Sequence, residues 1–377
     1  MDWDNLVFNC CGFIAGLFLL HYGADLFVDH TAIIARRLKI PETLIILLTV
    51  GAEWEELAVV IASIVQHQPS LGLGNVVGSC VANVLGAFAF GLLARNAHNN
   101  LRCFDTNSKI YAGALLVVSS MYLYLALMGH LDLTGGIFFL VAFGVYVMSI
   151  CSAIYDRILT PSTPISNAMD ESLSSSEDTS DDFHRELQVS IYPSVLQCPP
   201  NEDTPLVGEQ PPPRRMDHSE NAACLQSAAY HIARSIVGIT ALVISAYLLV
   251  HTSSSLSSIL HLSPTSFGIT FLSFFTTIPE KVPAALASWQ DRPQNMAAST
   301  AGANIFLLTL CLGIIFLTGN GDEELARSIT AFEVWSVWGC SLVLTLIVLL
   351  RGKRWMGGIL LGFYVAFLGV EVTISKR

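Results

Sequence analysis

The chain has 377 residues, 53% of them hydrophobic and 13% charged, with a formal net charge of −11. A soluble protein carries about twice that charged fraction, roughly 25%, so an ordinary soluble enzyme is excluded, and the negative balance argues against a nucleic-acid partner. Nine cysteines are scattered singly apart from Cys10–Cys11; no spacing reads as a zinc site or a disulfide framework, and no cofactor is expected.

Apolar runs long enough to cross a bilayer recur along the chain. Ten spans are expected, at 5–28, 40–66, 70–94, 110–129, 134–155, 231–252, 266–289, 294–318, 330–350 and 354–374. The N-terminus has no basic n-region and no clear small-residue cleavage site, so the first span is expected to be retained. The expected organisation is a first membrane half at 1–157, a linker at 158–230 and a second half at 231–377. With five spans in each half, the halves enter the membrane in opposite orientations, the construction common in secondary transporters. The fold class expected is therefore all-α, with about ten transmembrane helices as a 5+5 inverted-topology repeat.

Basic residues agree with that count. Arg36, Arg37, Lys39, Arg95, Arg102, Lys109, the arginines in and beside the linker, Arg292, Arg351, Lys353 and Arg354 all fall on one side. The other side holds only Arg327, Lys376 and Arg377. The positive-inside bias places the N-terminus outside and the linker in the cytosol, of either an endomembrane or the plasma membrane. The linker is rich in Ser, Pro, Asp and Glu, and is most acidic at Asp170–Asp182. It lacks the apolar residues to build a core and is expected to be disordered. Its acid-flanked serines offer a substrate to a kinase; a plain solvated connection is the favoured expectation.

Two segments of the halves match under one constant offset of 224. Glu56 aligns with Glu280 and Gly78 with Gly302. Glu53, Glu55 and Glu56 fall inside the second expected span and Glu280 inside the seventh. A carboxylate in mid-bilayer needs a cation, a proton or a partner. Lys281 is the only Lys or Arg placed in the interior of a span and cannot neutralise these acids, so a mobile cation or protons are expected to do so. Glu53 and Glu56 are three residues apart and share a helix face, while Glu55 points away. Thr276 and Thr277 precede Glu280 by four and three residues and lie on its side of a helix. Pro279 and Pro283 leave the carbonyls of Phe275 and Pro279 without helical donors. Hydroxyls, freed carbonyls and a carboxylate suit a hard cation such as Ca²⁺ or Na⁺. Ser79, Asn83 and Asn304 add polar groups within the membrane, and small residues at Gly72, Gly74, Gly78 and Gly86 allow close helix packing.

The chain resembles the cation/Ca²⁺ exchanger superfamily in its sodium/calcium exchanger branch. That family carries two repeats that read close to G-T-S-x-P-E and then G-N-x-x-G-S-N-x-x-N. Here FTTIPE at Phe275–Glu280 and GNVVGSCVAN at Gly74–Asn83 match best. The run from Tyr22 to Pro41 resembles the family's first helix and the turn after it, and Ala246–Pro264 answers it in the second half. The resemblance implies a ten-span inverted repeat with Ca²⁺ between Glu56 and Glu280. It also implies ion ligation by Thr276, Thr277, Ser79 and Asn83, and a first and sixth span that slide across the remainder. Departures are equally plain. Ala52 and Glu53 stand where the family has Thr and Ser, Glu55 where it has Pro, and Phe275 where it has Gly. Cys80 replaces the Asn that follows Gly-Ser in one motif, and Leu307 the last polar residue of the other.

The function expected is antiport of Ca²⁺ against Na⁺ or H⁺, with the lipid bilayer and the transported cations as partners. Metal ligands would be Glu56, Glu280, Thr276, Thr277, Ser79, Asn83 and Glu53. The alternative is a degenerate, non-transporting member acting as a Ca²⁺ sensor or scaffold. An enzyme is not expected. GNGD at Gly319–Asp322 fits the short string of intramembrane aspartyl proteases, but its partner pair Tyr155–Asp156 falls on the opposite side of the membrane.

Overall fold

The computed structural model describes residues 3–38, 53–94, 104, 106–159, 218–277, 293–319, 323–350 and 352–375, and every element among them is helical. The chain divides into two compact units. One joins Met1–Tyr155 to Ser227–Arg377, and the other is Asp156–Gln226. In the second unit the described residues are the last turn of one helix and the first turns of the next.

The first unit begins with α1, Trp3–Arg37. Its ends suit the helix dipole, with Asp4 in the first turn and Arg36 and Arg37 in the last. Helix α2 is Trp54–Val65, and its first turn carries Glu55 and Glu56 at the positive end of the dipole. Helix α3 is Pro69–Ala94. It opens on a proline at its first position, where the missing N–H has no intrahelical partner to lose. Helices α4, Thr106–Leu127, and α5, Leu133–Leu159, complete the first half.

The second half repeats the series. Helix α6 is His218–Ile259, and α7 starts with Pro264–Phe267 and runs through residue 277. The Ser263 hydroxyl accepts the Ser266 N–H at 3.1 Å and caps α7. Helix α8 covers Pro293–Phe306 and continues to Thr318. Short α9, Glu323–Arg327, leads to α10, Ala331–Leu349, and α11, Arg354–Ser375.

Eight of these helices, among the described residues, are long and apolar enough to cross a membrane. They cover eight of the ten expected spans. The second and seventh expected spans correspond to α2 and α7, whose remaining residues, 39–52 and 278–292, lie outside the described residues. One boundary moves: α6 begins at His218, inside the segment expected to be linker. The alanines and the leucine in His218–Ala229 sustain a helix there, although the stretch is too polar to count as a span.

Helices α3 and α8 form the centre. In their most apolar windows 89% and 83% of residues are buried, against 28% for α1. This is the reverse of a soluble core, since the outward faces are as apolar as the inside and association depends on close packing of small residues. A Cβ on Gly74 would stand 2.1 Å from the Thr265 carbonyl oxygen, and one on Gly268 would stand 2.5 Å from the Leu71 oxygen. Gly78 meets Ile269 and Ser273 in the same way. The contacts advance together along both helices, so α3 and α7 run parallel with backbones nearly touching. Helices α1 and α6 cross in the antiparallel sense at Gly23 and Gly238, each against the other's backbone. A third such crossing joins Gly136 of α5 to Gly313 of α8.

Three stretches depart from α-helical winding into π-helix: Ala82–Phe88 in α3, Gly268–Leu272 in α7 and Leu307–Cys311 in α8. The offset of 224 carries residues 82–88 onto 306–312, so the first and third are the same irregularity kept in both halves. Such bulges turn the side chains beyond them relative to those before, and they concentrate at functional sites.

Candidate cation site between the repeats

Six of the seven expected ligands fall among the described residues; Glu280 lies outside them, as do Pro279, Lys281 and Pro283. Glu53 and Glu56 sit at the start of α2, 6% and 1% exposed. Both are within electrostatic reach of Cys80 on α3 and Cys311 in the π-helical part of α8. The two acids therefore overlook the centre of the molecule, where the two halves meet.

Ser79 and Asn83 lie one turn apart on α3, both fully buried. Asn75 is one turn earlier on the same face, also fully buried. Facing them across the glycine contacts, α7 carries Ser266, Thr270, Ser273, Thr276 and Thr277, all buried. Thr270 and Ser273 donate to carbonyls one turn back, and Thr276 donates to the Leu272 oxygen at 3.1 Å. This back-bonding is ordinary for hydroxyls in membrane helices. Thr277 differs, because its hydroxyl is buried with no partner among the described residues.

The same holds for Ser79 Oγ, Asn83 Oδ1 and both amide atoms of Asn75. Leaving one buried polar group unmatched costs about 1–3 kcal/mol, and such groups are rare without a ligand, ion or water. Here five such atoms lie on α3 and α7, in the same central region as two buried carboxylates. Most are oxygens, the donor set of a hard cation. Among the described residues no three His, Cys, Asp or Glu side chains converge.

The halves are joined at the site by amides. Asn83 donates Nδ2 to Asn304 Oδ1 at 2.9 Å, and Asn304 donates Nδ2 to the Cys80 carbonyl oxygen at 2.9 Å. Cys80 and Asn304 are equivalent under the 224 offset.

Three features were not among the expected ligands. Asn75 belongs to the quoted GN motif, and its polarity inside an apolar span was the available signal. Glu55, 3% exposed, is bonded by His21 Nδ1 of α1 at 2.9 Å, while His21 Nε2 lies 3.6 Å from Asp25. Only a helix-face comparison of α1 with α2 would have found that pair. Asn304 is visibly polar within its span, but its pairing with Asn83 has no local sequence signal.

An all-helical chain with eight helices able to cross a membrane, built as two repeats with buried acids at their centre, defines the class of integral multi-pass membrane proteins of repeat construction. A model of the sodium/calcium exchanger protein family matches residues 8–151 and 230–372. The chain belongs to that family. An uncharacterized membrane protein of Methanocaldococcus jannaschii is 33% identical over 152 residues, 39% of this chain and 46% of that protein. The chain thus aligns with about half the length of that curated relative. Structures of the sodium-calcium exchanger NCX_Mj share the fold. The one soaked with 2.5 mM Na⁺ and 0.1 mM Ca²⁺ has a TM-score of 0.51 at 18% identity, covering 96% of this chain and 98% of the other. The one soaked with 10 mM Na⁺ and 10 mM Sr²⁺ has a TM-score of 0.50 at 18% identity, covering 97% and 98%.

Proposed function

We propose that the protein is a secondary antiporter that moves Ca²⁺ against a monovalent cation, Na⁺ or H⁺, by alternating access. Glu56 supplies the charge that holds Ca²⁺ from the first repeat, with Glu280 as its counterpart in the second. Ser79, Asn83 and Thr277 add neutral oxygens, and Asn75 extends the set. Glu53 stands where the offset places Thr277 in the other half, so the site is more acidic on one side. The observation that carries this reading is the line of buried, unmatched oxygens on α3 and α7 beside Glu53 and Glu56. The backbone-close crossing of α1 and α6 at Gly23 and Gly238 packs those two helices on each other, so in this reading they move as a pair across the remainder.

The test is Ca²⁺ uptake into vesicles containing the purified chain, under an imposed Na⁺ or pH gradient. Uptake that follows one gradient and is lost in Glu56→Gln supports the assignment. Absence of gradient-driven uptake, or full uptake in Glu56→Gln combined with Glu280→Gln, rejects it.

A further inference from the structure

Two buried acids, Glu333 and Glu371, lie outside the repeat centre. Glu371, near the end of α11, has no solvent exposure. Its Oε1 accepts the Ser266 hydroxyl at 2.8 Å, and its Oε2 has no hydrogen-bond partner among the described residues. Ser266 in turn accepts from the Ser263 hydroxyl at 3.0 Å. Ser263 is exposed, in the turn between α6 and α7. Three oxygens therefore form a continuous hydrogen-bonded line from the surface to a fully buried carboxyl.

The segments that pack most closely on α11 are residues 82–88, 89–94, 264–267 and 268–272. Their sequences contain no charged side chain. Glu333 on α10 is the acid in electrostatic contact with Glu371, and it accepts the Thr330 N–H at 3.0 Å. A buried carboxylate with one hydroxyl partner must be neutralised. A Ca²⁺ ion would need about six to eight oxygens, which one carboxyl and one serine do not supply. A proton needs one carboxyl oxygen and one acceptor, and both are present.

We propose that Glu371 is a proton-binding site, loaded from the surface through Ser263 and Ser266, and that its proton takes part in the transport cycle. A proton from surface water enters at Ser263 Oγ, whose own proton passes to Ser266 Oγ. The Ser266 proton passes to Glu371 Oε1. Each hydroxyl ends with one proton, and the carboxylate becomes a carboxylic acid. The hydroxyl face of α7 continues from Ser266 through Thr270 and Ser273 to Thr277, which ties this acid to the same helix as the cation site. The second half of the proposal rests on the exchanger reading and names H⁺ as an ion that the chain binds apart from Ca²⁺.

The test is infrared difference spectroscopy of the full chain in lipid, stepped from acidic to alkaline buffer. A carboxylic C=O band that comes and goes with pH in the native chain, and is missing in Glu371→Gln, is the expected result. In Ser266→Ala, which keeps the acid, the band should appear about tenfold or more slowly after a pH jump, a barrier increase of about 1.4 kcal/mol. In vesicles, Glu371→Gln should bind Ca²⁺ as the native chain does but lose the pH dependence of uptake. A native band that does not respond to pH, an unchanged rate in Ser266→Ala, or a native pH profile in Glu371→Gln overturns the proposal. If Glu371→Gln does not fold, the Ser266→Ala rate decides. Failure of all Ca²⁺ flux in the native chain would reject the exchanger reading, whereas loss of the titrating band alone would reject only the role of Glu371.

Discussion

Asn83 and Asn304 stand in different repeats, one helical turn out of register under the 224 offset, and are joined by an Nδ2–H···Oδ1 bond of 2.9 Å. Asn304 passes the link on to the Cys80 carbonyl oxygen, the residue that occupies its own position in the first repeat. The pairing explains how the two family motifs can each lose a different asparagine. Cys80 contributes its backbone oxygen where an amide would stand, and Leu307 leaves the bond to Asn83 on the other side. Between them the halves keep one complete amide pair.

Replacing Asn304 by Ala should break both bonds and leave the Asn83 Nδ2 and the Cys80 oxygen buried without that partner. Interhelical hydrogen bonds in membranes are worth about 0.6–2 kcal/mol each, so a loss of about 1–3 kcal/mol is expected. Denaturant unfolding in detergent micelles measures it. Asn83→Leu, which copies Leu307 of the second repeat, should lose about half as much, since the Asn304–Cys80 bond remains. A double variant that is no worse than Asn304→Ala alone would show the two asparagines acting as one unit.

The acids of α2 make separable predictions. Glu56→Gln removes a charge from the proposed Ca²⁺ site and should weaken Ca²⁺ binding by tenfold or more, since hydrogen bonds to charged groups are worth about 1.5–3 kcal/mol. Glu53→Thr restores the residue type found at Thr277 in the other half. It should keep Ca²⁺ binding within a few-fold and change which monovalent gradient drives uptake. Titration calorimetry reads the first effect and ion-swap flux the second. Equal loss of binding in both variants would show Glu53 to be a principal ligand instead.

Much of this was open to inspection in the sequence. Spans could be placed because a bilayer demands about twenty apolar residues at a time, and α3, α8, α10 and α11 begin and end within a residue or two of expectation. The repeat showed because Glu56, Gly78, Glu280 and Gly302 keep one offset. Winding was not legible: the π-helical segments contain the same small and apolar residues as the α-helix around them. Neither was pairing across distance. Asn83 with Asn304, His21 with Glu55 and Ser266 with Glu371 are each more than thirty residues apart, and no local pattern encodes such a partner. The start of α6 at His218 was not legible either, because charge and proline density in the preceding segment obscure it.

The His21–Glu55 bond holds α1 against α2 beside the proposed cation site. Glu55 is buried, so losing the imidazole leaves a carboxyl that must be desolvated alone. Breaking one side of a buried pair costs about 3–5 kcal/mol; half-exposed His21 puts this case at the lower end or below. His21→Ala should therefore destabilise the chain by about 2–3 kcal/mol in a thermal melt. His21→Ala with Glu55→Leu should recover most of that, because an apolar pair needs no partner. If His21→Ala is neutral, the bond is incidental to packing.

The glycine contact between α3 and α7 gives a prediction with an internal control. A methyl group on Gly74 would fall 2.1 Å from the Thr265 oxygen, and on Gly268 2.8 Å from the Asn75 nitrogen. Backbone cannot step aside as a flexible side chain can, so the helices must separate. Over-packing of this kind costs about 1–3 kcal/mol, and the separation would also open the seam that holds Asn75, Ser79 and Thr277. Gly74→Ala and Gly268→Ala should thus lower both the melting temperature and Ca²⁺ affinity. Gly113 and Gly339 have nothing within 4 Å of the added atom. Alanine there should be neutral or slightly stabilising, by up to about 1 kcal/mol, since it restricts the unfolded chain and favours helix. A thermal series on the four variants decides the matter. If Gly74→Ala melts with Gly113→Ala, close backbone approach is not what binds α3 to α7.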